Sequence, residues 1–471
     1  MLKDVNTIVT DGGLGQTITD GVGTHVKIGA SHIANQVVTI IAGMSAKRIK
    51  YLLGESPLAD SVMTSIENGA AVIHCLPTTA STDGTMTAVT KTGTGLSTAT
   101  LTGKPNNDFD VIIDVTVSGK LNEAALKYSI NGGLNYSEEL TVPADGIVTL
   151  EGTGITATFT EDVGTPTSSF IAGDRYQFKS TAPLLTNQDI LDAVDLLKTL
   201  ELEYEYIHIV GTTSKALWAS IAVEADVYMT TLKRPVMFIL ESRGINAEET
   251  LEEYIDALIN DQKLINHTDL QVVAGRGLYK QMDGVTKEIN AAAIVCGLYS
   301  LAKVSQSIGE VKSFSISDSK LISLTPEGIG EYIDYLDTAR YLTIRRYEGI
   351  AGYYVTNAKM LAPEGSDYKY AERVRVKNKM LKETRKRALL ELQTEIDPLN
   401  SQADLEVIAK FVQIPLDEMV RNKEVSSARI YIPEGQDILS TEKLNMVIRY
   451  IPKGHVREME LDLGMENPFS N

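Results

Sequence analysis

The clearest pattern of apolar and polar positions lies between residues 184 and 337. Buried strands are predicted there at the apolar runs YIHIVGT, RPVMFILESR and DLQVVAGRG. Helices are predicted at three longer segments with apolar residues at helical spacing: ALWASIAVEADVYMTTL, ETLEEYIDALIND and INAAAIVCGLYSLAKVSQS. Because strands and helices alternate along this part of the chain, the pattern predicts a parallel α/β layer.

Residues 36–79 have the same character, with a strand at VVTIIAG, two short helices and a strand at AVIHCL. We therefore predict a discontinuous α/β main domain over 36–79 and 184–339. The intervening residues 80–183 are rich in Thr, Gly, Ser and Val, and short alternating runs are separated by turn residues. That spacing predicts an inserted β-sandwich domain. A decorating spacer is its favoured role, with carbohydrate binding as the alternative.

The rest of the chain predicts an α+β C-terminal domain over 340–454, in which two helices precede the strands VSSARIYIPEG and KLNMVIRYIPKG. Residues 1–35 are short of large apolar side chains, and residues 455–471 begin with the extended stretch HVREMELDL. Both ends are predicted to be arms that gain order by pairing with another chain. The predicted fold class is α/β, α+β overall: a parallel main domain, an inserted sandwich, an α+β C-terminal domain and extended terminal arms.

A strongly basic segment, RVRVKNKMLKETRKR at 373–387, carries eight Lys or Arg residues and one acidic residue. On a helical wheel four of these cations form one narrow line, here named the basic stripe: Arg375, Lys379, Lys382 and Lys386. Away from it cluster four apolar residues: Leu381, Ala388, Leu392 and Ile396. This predicts a helix anchored by its apolar side, with the basic stripe facing outward. The alternative is a solvated basic helix that only aids solubility.

The overall composition sets limits on what such a stripe can bind. The chain has 471 residues, a net charge of −18 and 43% hydrophobic residues, and its pI is near 4.9. An acidic surface repels phosphate, so no nucleic-acid partner is predicted. No apolar run reaches the roughly 20 residues that cross a bilayer, so no membrane insertion is predicted. Cys75 and Cys296 are predicted to be small buried hydrophobes of a protein made in a reducing cytoplasm.

Catalytic and cofactor motifs are poorly represented. The segment GTTSKA at 211–216 is close to a serine-protease motif, and His208 lies nearby. However, a triad needs an Asp, a His and a Ser from separate elements, and no partner motif is present. The six histidines lack metal-ligand spacing, and no phosphate-binding loop is found. We predict no catalytic residue, no metal and no cofactor, with an α/β hydrolase or a glycan-binding surface protein as the alternative.

Two stretches resemble contractile tail sheath proteins of phages, tailocins and related injection systems. The first is LLGESPLADSVMTSIENGAAVIHCL. Its matching positions are Gly54, Leu58, Ala59, Val62, Asn68, Gly69 and Ala70. The second, from residue 340, resembles the sheath C-terminal domain. It matches at Gly349, Gly352, Tyr354, Thr356, Ala358, Asp367, Tyr368 and Arg373. The resemblance covers about three quarters of the chain and implies a subtilisin-like main domain without the chemistry of that enzyme.

The resemblance implies a structural subunit, not an enzyme, that polymerises helically around an inner tube and contracts to drive it through a cell envelope. The implied partners are further copies of the chain, an acidic inner tube protein, and baseplate and tail terminator proteins. Assembly would occur in the bacterial host cytoplasm, and the mature protein would belong to a virion or phage-tail-like particle. The basic stripe is the expected tube contact. The expected subunit-linking residues of the arms are Thr7, Val9, Ile18, Val456, Met459, Leu461 and Leu463.

Overall fold

A computed structural model describes residues 22–33, 36–397 and 401–465 of the chain. The strands of the first half are β1 (His25–Ala30), β2 (Val38–Ile41), β3 (Val72–Thr78), β4 (Thr90–Thr92), β5 (Thr98–Gly103), β6 (Asp110–Val117), β7 (Ala125–Ser129), β8 (Leu140–Thr141), β9 (Ile147–Leu150), β10 (Ile155–Thr160) and β11 (Arg175–Lys179). Those of the second half are β12 (Tyr206–Thr212), β13 (Met237–Glu241), β14 (Leu270–Val273), β15 (Arg276–Lys280), β16 (Thr286–Asn290), β17 (Leu321–Thr325), β18 (Ile344–Arg345), β19 (Tyr354–Val355), β20 (Val425–Tyr431) and β21 (Val447–Pro452).

The α-helices are α1 (Ala46–Leu53), α2 (Pro57–Glu67), α3 (Asn187–Lys198), α4 (Lys215–Thr230), α5 (Leu251–Gln262), α6 (Ala292–Leu301), α7 (Ile333–Thr338), α8 (Ala371–Leu390), α9 (Ser401–Arg421) and α10 (Ile438–Thr441). Several start at side-chain caps: Thr186 and Asp189 form a capping box on α3, and Thr250 and Glu253 form one on α5. These reciprocal bonds satisfy backbone donors that the first turn leaves without partners. Helix α9 contains Pro415 and continues beyond it to Arg421.

A six-stranded sheet forms the centre of the main domain, in the order β14-β13-β12-β1-β3-β2. Neighbouring strands are parallel except β2, which runs antiparallel to β3 at the edge. One face packs on α3, α4, α5 and α7 through residues such as Ile28, Ile209 and Trp218. The other face packs on α6 and the start of α8 through residues such as Ile239 and Val295. The predicted parallel α/β layer is confirmed, with helices on both faces of the sheet.

Strand β1 corrects the prediction that residues 1–35 lie outside the core as an arm. His25–Ala30 is buried along its whole length between β3 and β12. The sequence HVKIGA alternates polar and apolar residues, which is the pattern of a strand with one solvated face. Here the polar face is also covered, because His208 and α2 supply partners for Lys27. Thr7, Val9 and Ile18 lie outside the described residues.

Two packed sheets occupy the predicted insertion. One has the order β5-β10-β9 and the other β4-β11-β6-β7-β8. Their facing side chains share a single apolar core, in which the Phe159 ring lies 5.1 Å from that of Tyr176 and 5.8 Å from that of Phe170. At the base of the insertion, the backbone amide of Leu184 donates to Thr82 over 3.0 Å. The predicted β-sandwich is therefore present, and its two ends lie side by side.

Because its ends are paired and its core is separate, the sandwich should be removable. Deleting residues 83–182, with Thr82 joined to Pro183, should leave a folded protein. We expect the deletion product to unfold in one cooperative thermal transition. Its helix content, measured by circular dichroism, should match that of the remaining residues in the structure. The control is Val148→Asp in the full-length protein. It puts a charge into the core of the sandwich, and so damages the sandwich without removing it. An insoluble or molten deletion product would show that the sandwich completes the main core.

The C-terminal part is built on α8. Val376 and Met380 of this helix pack against Leu416 and Met419 of α9, and Val425 of β20 joins the same cluster. Strands β20 and β21 pair antiparallel, as predicted from the two terminal apolar runs. The helix pair thus holds a two-stranded sheet at the end of the chain, close to where the C-terminal segment leaves the body.

Candidate functional site

The basic stripe of α8 is split between the interior and the surface. The Arg375 side chain is 1% exposed, and its Nε donates to Glu205 Oε1 over 2.5 Å. Its Nη2 donates to Glu205 Oε2 and to the carbonyl of Tyr299 over 3.0 and 2.9 Å. The guanidinium also lies over the Tyr299 ring, 5.1 Å from its centroid. The prediction that Arg375 faces outward is wrong.

The physical reason is that a guanidinium can be buried when its donors are paired. Burial by itself lowers the pKa of Arg375, but the charge and the hydrogen bonds of Glu205 outweigh it and hold the pKa above its usual value. Glu205 also accepts from the backbone amide of Gly23 over 2.7 Å. This ion pair therefore ties α8 to the strand at the centre of the main sheet.

The other three residues of the stripe become more exposed towards the end of the helix. Lys379 Nζ lies 2.8 Å from Glu424, and its side chain is largely buried. Lys382 Nζ lies 3.7 Å from Glu203, with a half-buried side chain. Lys386 lies 3.5 Å from the same glutamate and 3.2 Å from Glu383, and its side chain is 46% exposed. Only the second half of the stripe presents charge to solvent.

The apolar side of α8 is also placed differently from the prediction. Leu381 is exposed and Leu392, just past the helix, is 67% exposed, whereas Val374, Val376 and Met380 are buried. The helix is therefore anchored by the side that carries Arg375, and the expectation that Leu381 and Leu392 anchor it is wrong. Leu381 instead lines a groove of about 330 Å³ beside β20 and β21.

Over its described residues, the C-terminal segment is bonded to its own chain at its beginning. His455 Nε2 lies 3.0 Å from the carbonyl oxygen of Ser305. Arg457 donates to Asn357 over 2.8 Å and forms an ion pair with the buried Glu372. Beyond this root, described residues 458–465 belong to no helix or strand. The expected linking residues are all exposed, both Val456 between the two attached residues and, beyond Arg457, Met459, Leu461 and Leu463, the last at 96%.

The sheet of β20 and β21 ends without further neighbours. In the described parts of the chain these two strands pair only with each other, so β21 has one edge without a partner strand. The outer edge of β20 is partly covered by α9, because the Gln413 side chain donates to the carbonyl of Ala428 over 2.9 Å and accepts from the backbone amide of Ile430 over 2.8 Å. Arg429 and Arg449 stand opposite each other in this pairing, and both are exposed. Like charges that face each other across strands are destabilising unless an opposite charge lies nearby. The sheet therefore offers an open edge and a positive face.

The residues of the hydrolase alternative are held by other partners. Ser214 is the N-cap of α4 and accepts from the backbone amide of Leu217. His208 lies inside the sheet, where its Nδ1 is 2.7 Å from Lys27 Nζ and its Nε2 is 3.0 Å from Glu241. No contact of the structure joins Ser214 to His208 within the described residues. This pairing gives no support to a serine-protease mechanism.

The buried chain of polar residues around His208 was missed by the sequence reasoning. Lys27 Nζ donates to Ser61 Oγ over 2.8 Å, so the chain runs from Ser61 through Lys27 and His208 to Glu241. Burial, followed by the charge of Lys27, lowers the pKa of His208 well below its usual value. Burial raises the pKa of Glu241 to about 7. Lys27 lies in a segment that was predicted to be an arm, so nothing in the sequence indicated that it would be buried in a polar chain.

Among the described residues, no group of three or more His, Cys, Asp or Glu side chains is arranged to hold a metal ion. Within the same residues, no helix has both the length and the apolar character that a membrane span requires. Cys75 and Cys296 are both buried and unbridged, as expected for small core residues.

With this geometry described, the fold can be compared with known proteins. It is the fold of contractile sheath subunits. A sheath tail protein from Desulfitobacterium hafniense is 13% identical, and the alignment covers 96% of this chain and 100% of that one, with a TM-score of 0.50. The contracted sheath of the anti-feeding prophage is 10% identical, with 99% and 100% of the two chains covered and a TM-score of 0.52.

The sheath of an extracellular contractile injection system named PVC, also contracted, is 11% identical over 99% of this chain and 98% of that chain, with a TM-score of 0.54. No curated protein matches the sequence. The chain belongs to the DUF2586 family, whose N-terminal domain matches residues 2–359 and whose C-terminal domain matches residues 367–470.

Proposed function

We propose that this chain is the structural subunit of a contractile sheath that polymerises helically around an inner tube and shortens to drive the tube through a cell envelope. The observation that carries this proposal is the end-to-end likeness to two contracted sheath subunits, which covers 98% or more of both chains in each comparison. An enzyme domain added to an assembly subunit would leave part of one chain unmatched.

Negative-stain electron microscopy of the purified full-length protein tests this proposal directly. We expect striated tubes or stacked rings, because a sheath subunit can polymerise without its tube. Protein that stays as small discrete particles over a wide range of concentration and salt would contradict an assembly role. That result would favour the alternative class, a hydrolase or a glycan-binding protein.

Subunits would be joined by terminal arms that add strands to a neighbour's sheet. The open edge of β21 supplies the acceptor, since an extended segment can pair with its backbone groups. The C-terminal segment is suited to such pairing, because Met459, Leu461 and Leu463 alternate with Glu458, Glu460 and Asp462. Its acidic side chains complement Arg429 and Arg449. Thr7, Val9 and Ile18 would act in the same way at the N-terminal end.

The inner-tube contact is proposed for the exposed end of the basic stripe, Lys382 and Lys386. Exposed ion pairs contribute about 1 kcal/mol or less each, so contacts of this kind can be broken together when a ring widens. Backbone pairing through the arms would persist through the same rigid-body movement. Assembly in the bacterial cytoplasm, and contacts with baseplate and tail terminator proteins at the sheath ends, are further parts of the proposal.

The double replacement Lys382→Glu and Lys386→Glu should weaken growth of extended sheath on an acidic tube while leaving tube-free polymers intact. Attachment of the native protein should also weaken with salt, because the Debye length falls from about 10 Å at 0.1 M to about 3 Å at 1 M. Co-sedimentation of subunits with purified tubes measures both effects.

The matched control for this pair is Lys104→Glu with Lys312→Glu, which makes the same change in net charge. Both control lysines are highly exposed, and they lie on the sandwich and on the loop after α6. Equal loss of attachment in the two double variants would mean that only net charge matters. Normal attachment of the Lys382 and Lys386 variant would mean that the tube contact lies on another part of the surface.

A further inference from the structure

A cavity of about 620 Å³ lies beside the point where the C-terminal segment leaves the body of the protein. Five parts of the chain form its walls: the loop after α6, helix α7, strand β18 with the loop that follows it, the residues after β19, and the beginning of the C-terminal segment. The volume lies within the range of small-molecule sites, roughly 300 to 1,000 Å³. None of the contacts proposed above uses the interior of this cavity.

Arg345, the last residue of β18, lines the cavity and is half-buried. Among the described residues, its guanidinium has no ion-pair partner and no hydrogen-bond acceptor. The Nε–H group is covered by protein, whereas the two terminal amino groups remain open to the cavity. Charges that are withdrawn from water are normally paired, as Arg375 is by Glu205. An unpaired guanidinium in a cavity therefore indicates an anionic ligand.

The ring of Tyr347 limits the direction from which Arg345 can be reached. The guanidinium lies over this ring, with Cζ 4.6 Å from the centroid, so one of its faces is covered. Approach from the side of Nε is closed as well, because that group is covered by protein. The end of the guanidinium remains. There a carboxylate can accept two parallel hydrogen bonds, one from each terminal amino group.

Most other charged side chains of the lining already have partners. The pairs are Asp337 with Lys359, Glu310 with Lys312, and Arg457 with Glu372. The ring of His455 is held by the carbonyl oxygen of Ser305 over 3.0 Å. The exception is Asp334, an exposed residue of α7 without an ion-pair partner among the described residues. The cavity thus combines one unpaired cation that is half-buried with one unpaired carboxylate that is exposed to water.

This distribution of charge favours an anion with a single negative charge. One guanidinium neutralises one charge, and Asp334 would repel any further negative charge. A phosphate monoester carries about −1.5 to −2 charges at pH 7 and would remain partly uncompensated, whereas a carboxylate carries one. The side chains of Val311, Val456 and Met459 add apolar surface to the walls. Such surface suits a carboxylate that is attached to an aliphatic chain.

We propose that this cavity binds an aliphatic carboxylate, which accepts two hydrogen bonds end-on from the terminal amino groups of Arg345. The same chemistry is present in a glutamate side chain of a peptide segment and in a small free acid. The proposal does not depend on the sheath function, since Arg345 belongs neither to the arms nor to the basic stripe.

The test uses the full-length, unassembled protein with labelled methyl groups, and NMR follows Val311, Val456 and Met459, which line the cavity. The probes are butyrate, its neutral counterpart butanamide, ethyl phosphate, and N-acetylglutamate α-N-methylamide, whose single charge is the side-chain carboxylate. We expect saturable shifts with at least one carboxylate, and about tenfold weaker binding of butanamide, because charge-assisted hydrogen bonds are the stronger ones. Ethyl phosphate should also bind more weakly. Preference for the glutamate derivative indicates a peptide ligand, and equal or tighter binding of butyrate indicates a small free acid.

Arg345→Gln removes the positive charge and should weaken butyrate binding at least tenfold, with little effect on thermal stability because no ion pair or hydrogen bond is lost. The matched control is Arg346→Gln, which makes the same change in net charge. Arg346 is exposed, lies 3.7 Å from Asp318 and is not part of the lining, so binding should stay as in the native protein. Asp334→Asn should tighten butyrate binding, because it removes the repelling charge.

The proposal would be overturned by butyrate that binds no tighter than butanamide, by ethyl phosphate that binds as tightly as butyrate, or by normal binding to the Arg345 variant. An equal loss in the Arg346 control would overturn it too, since only net charge would then matter. Should the Arg345 variant fail to fold, the comparison of butyrate with butanamide on the native chain, together with Asp334→Asn, still decides. Absence of shifts with every probe would mean that Arg345 is only solvated, which also overturns the proposal.

Discussion

Replacing Arg375 by alanine should lower the free energy of unfolding by about 3 to 5 kcal/mol, although the residue belongs to a basic segment that resembles a surface helix. The substitution removes four hydrogen bonds, including both to Glu205, and leaves that carboxylate buried with only a backbone donor. It also removes the cation over the Tyr299 ring. Urea denaturation followed by circular dichroism measures the loss.

The matched control is Lys386→Ala on the same helix, which should change stability by about 0.5 kcal/mol or less because its side chain is half exposed. Glu205→Ala should be damaging for the same reason as Arg375→Ala, and the double variant should cost less than the sum of the two. A variant lacking Arg375 that is as stable as the Lys386 control would place Arg375 at the surface after all.

This pairing also changes how the basic stripe must be tested. Reversal of all four charges would put a glutamate at position 375 beside Glu205, and two buried carboxylates repel each other. Loss of sheath growth in such a variant would report unfolding rather than loss of the tube contact. The functional test is therefore confined to Lys382 and Lys386, whose exposure allows reversal at little cost to the fold.

Removing residues 458–471 should abolish tube formation and leave the unfolding of the monomer nearly unchanged. Past Arg457 the described part of the segment is exposed and makes no strand, so the monomer core loses almost nothing. A neighbouring subunit, in contrast, would lose a row of backbone hydrogen bonds and three apolar side chains. Electron microscopy measures assembly, and urea denaturation of the unassembled protein measures stability.

A replacement variant separates length from chemistry: Met459, Leu461 and Leu463 all changed to Ser keep the backbone but remove the apolar side. We expect this variant to assemble still, because backbone pairing remains. Its assembly should be weaker than that of the native protein, because the apolar side chains are gone. Arg457→Ala, which removes the root contacts to Asn357 and Glu372, tests whether attachment in cis matters. Normal tubes from the truncated protein, or a loss of monomer stability above roughly 3 kcal/mol, would contradict the arm proposal.

Much of the architecture follows from local patterns. Strands β12, β13 and β14 and helices α4, α5 and α6 were predicted because each has an apolar run of the length and spacing typical of its type. The hairpin of β15 and β16 was not predicted. The alternation and turn residues of 80–183 predicted the sandwich in the same way. Gly69, one of the positions that carry the resemblance, follows α2 with a φ of +107°, at a point where a Cβ atom would lie 2.3 Å from Leu301.

The misplaced elements share a different property. HVKIGA was assigned to an arm because residues 1–35 are short of large apolar side chains, yet it is the buried strand β1. The wheel of α8 gave the correct helix and the wrong buried side, because it counted Arg375 as polar and Leu381 as apolar without regard to partners.

The sequence by itself determined most of the helices and strands of the main domain, the presence of the sandwich, and the class of fold through two recognisable stretches. These features depend on residues close together in the chain, where periodicity and turn chemistry are read directly. Tertiary structure alone decided which cations are buried and which polar residues form the Lys27 chain. The reason is that a polar group is buried only when a partner is supplied, and Glu205 lies 170 residues from Arg375.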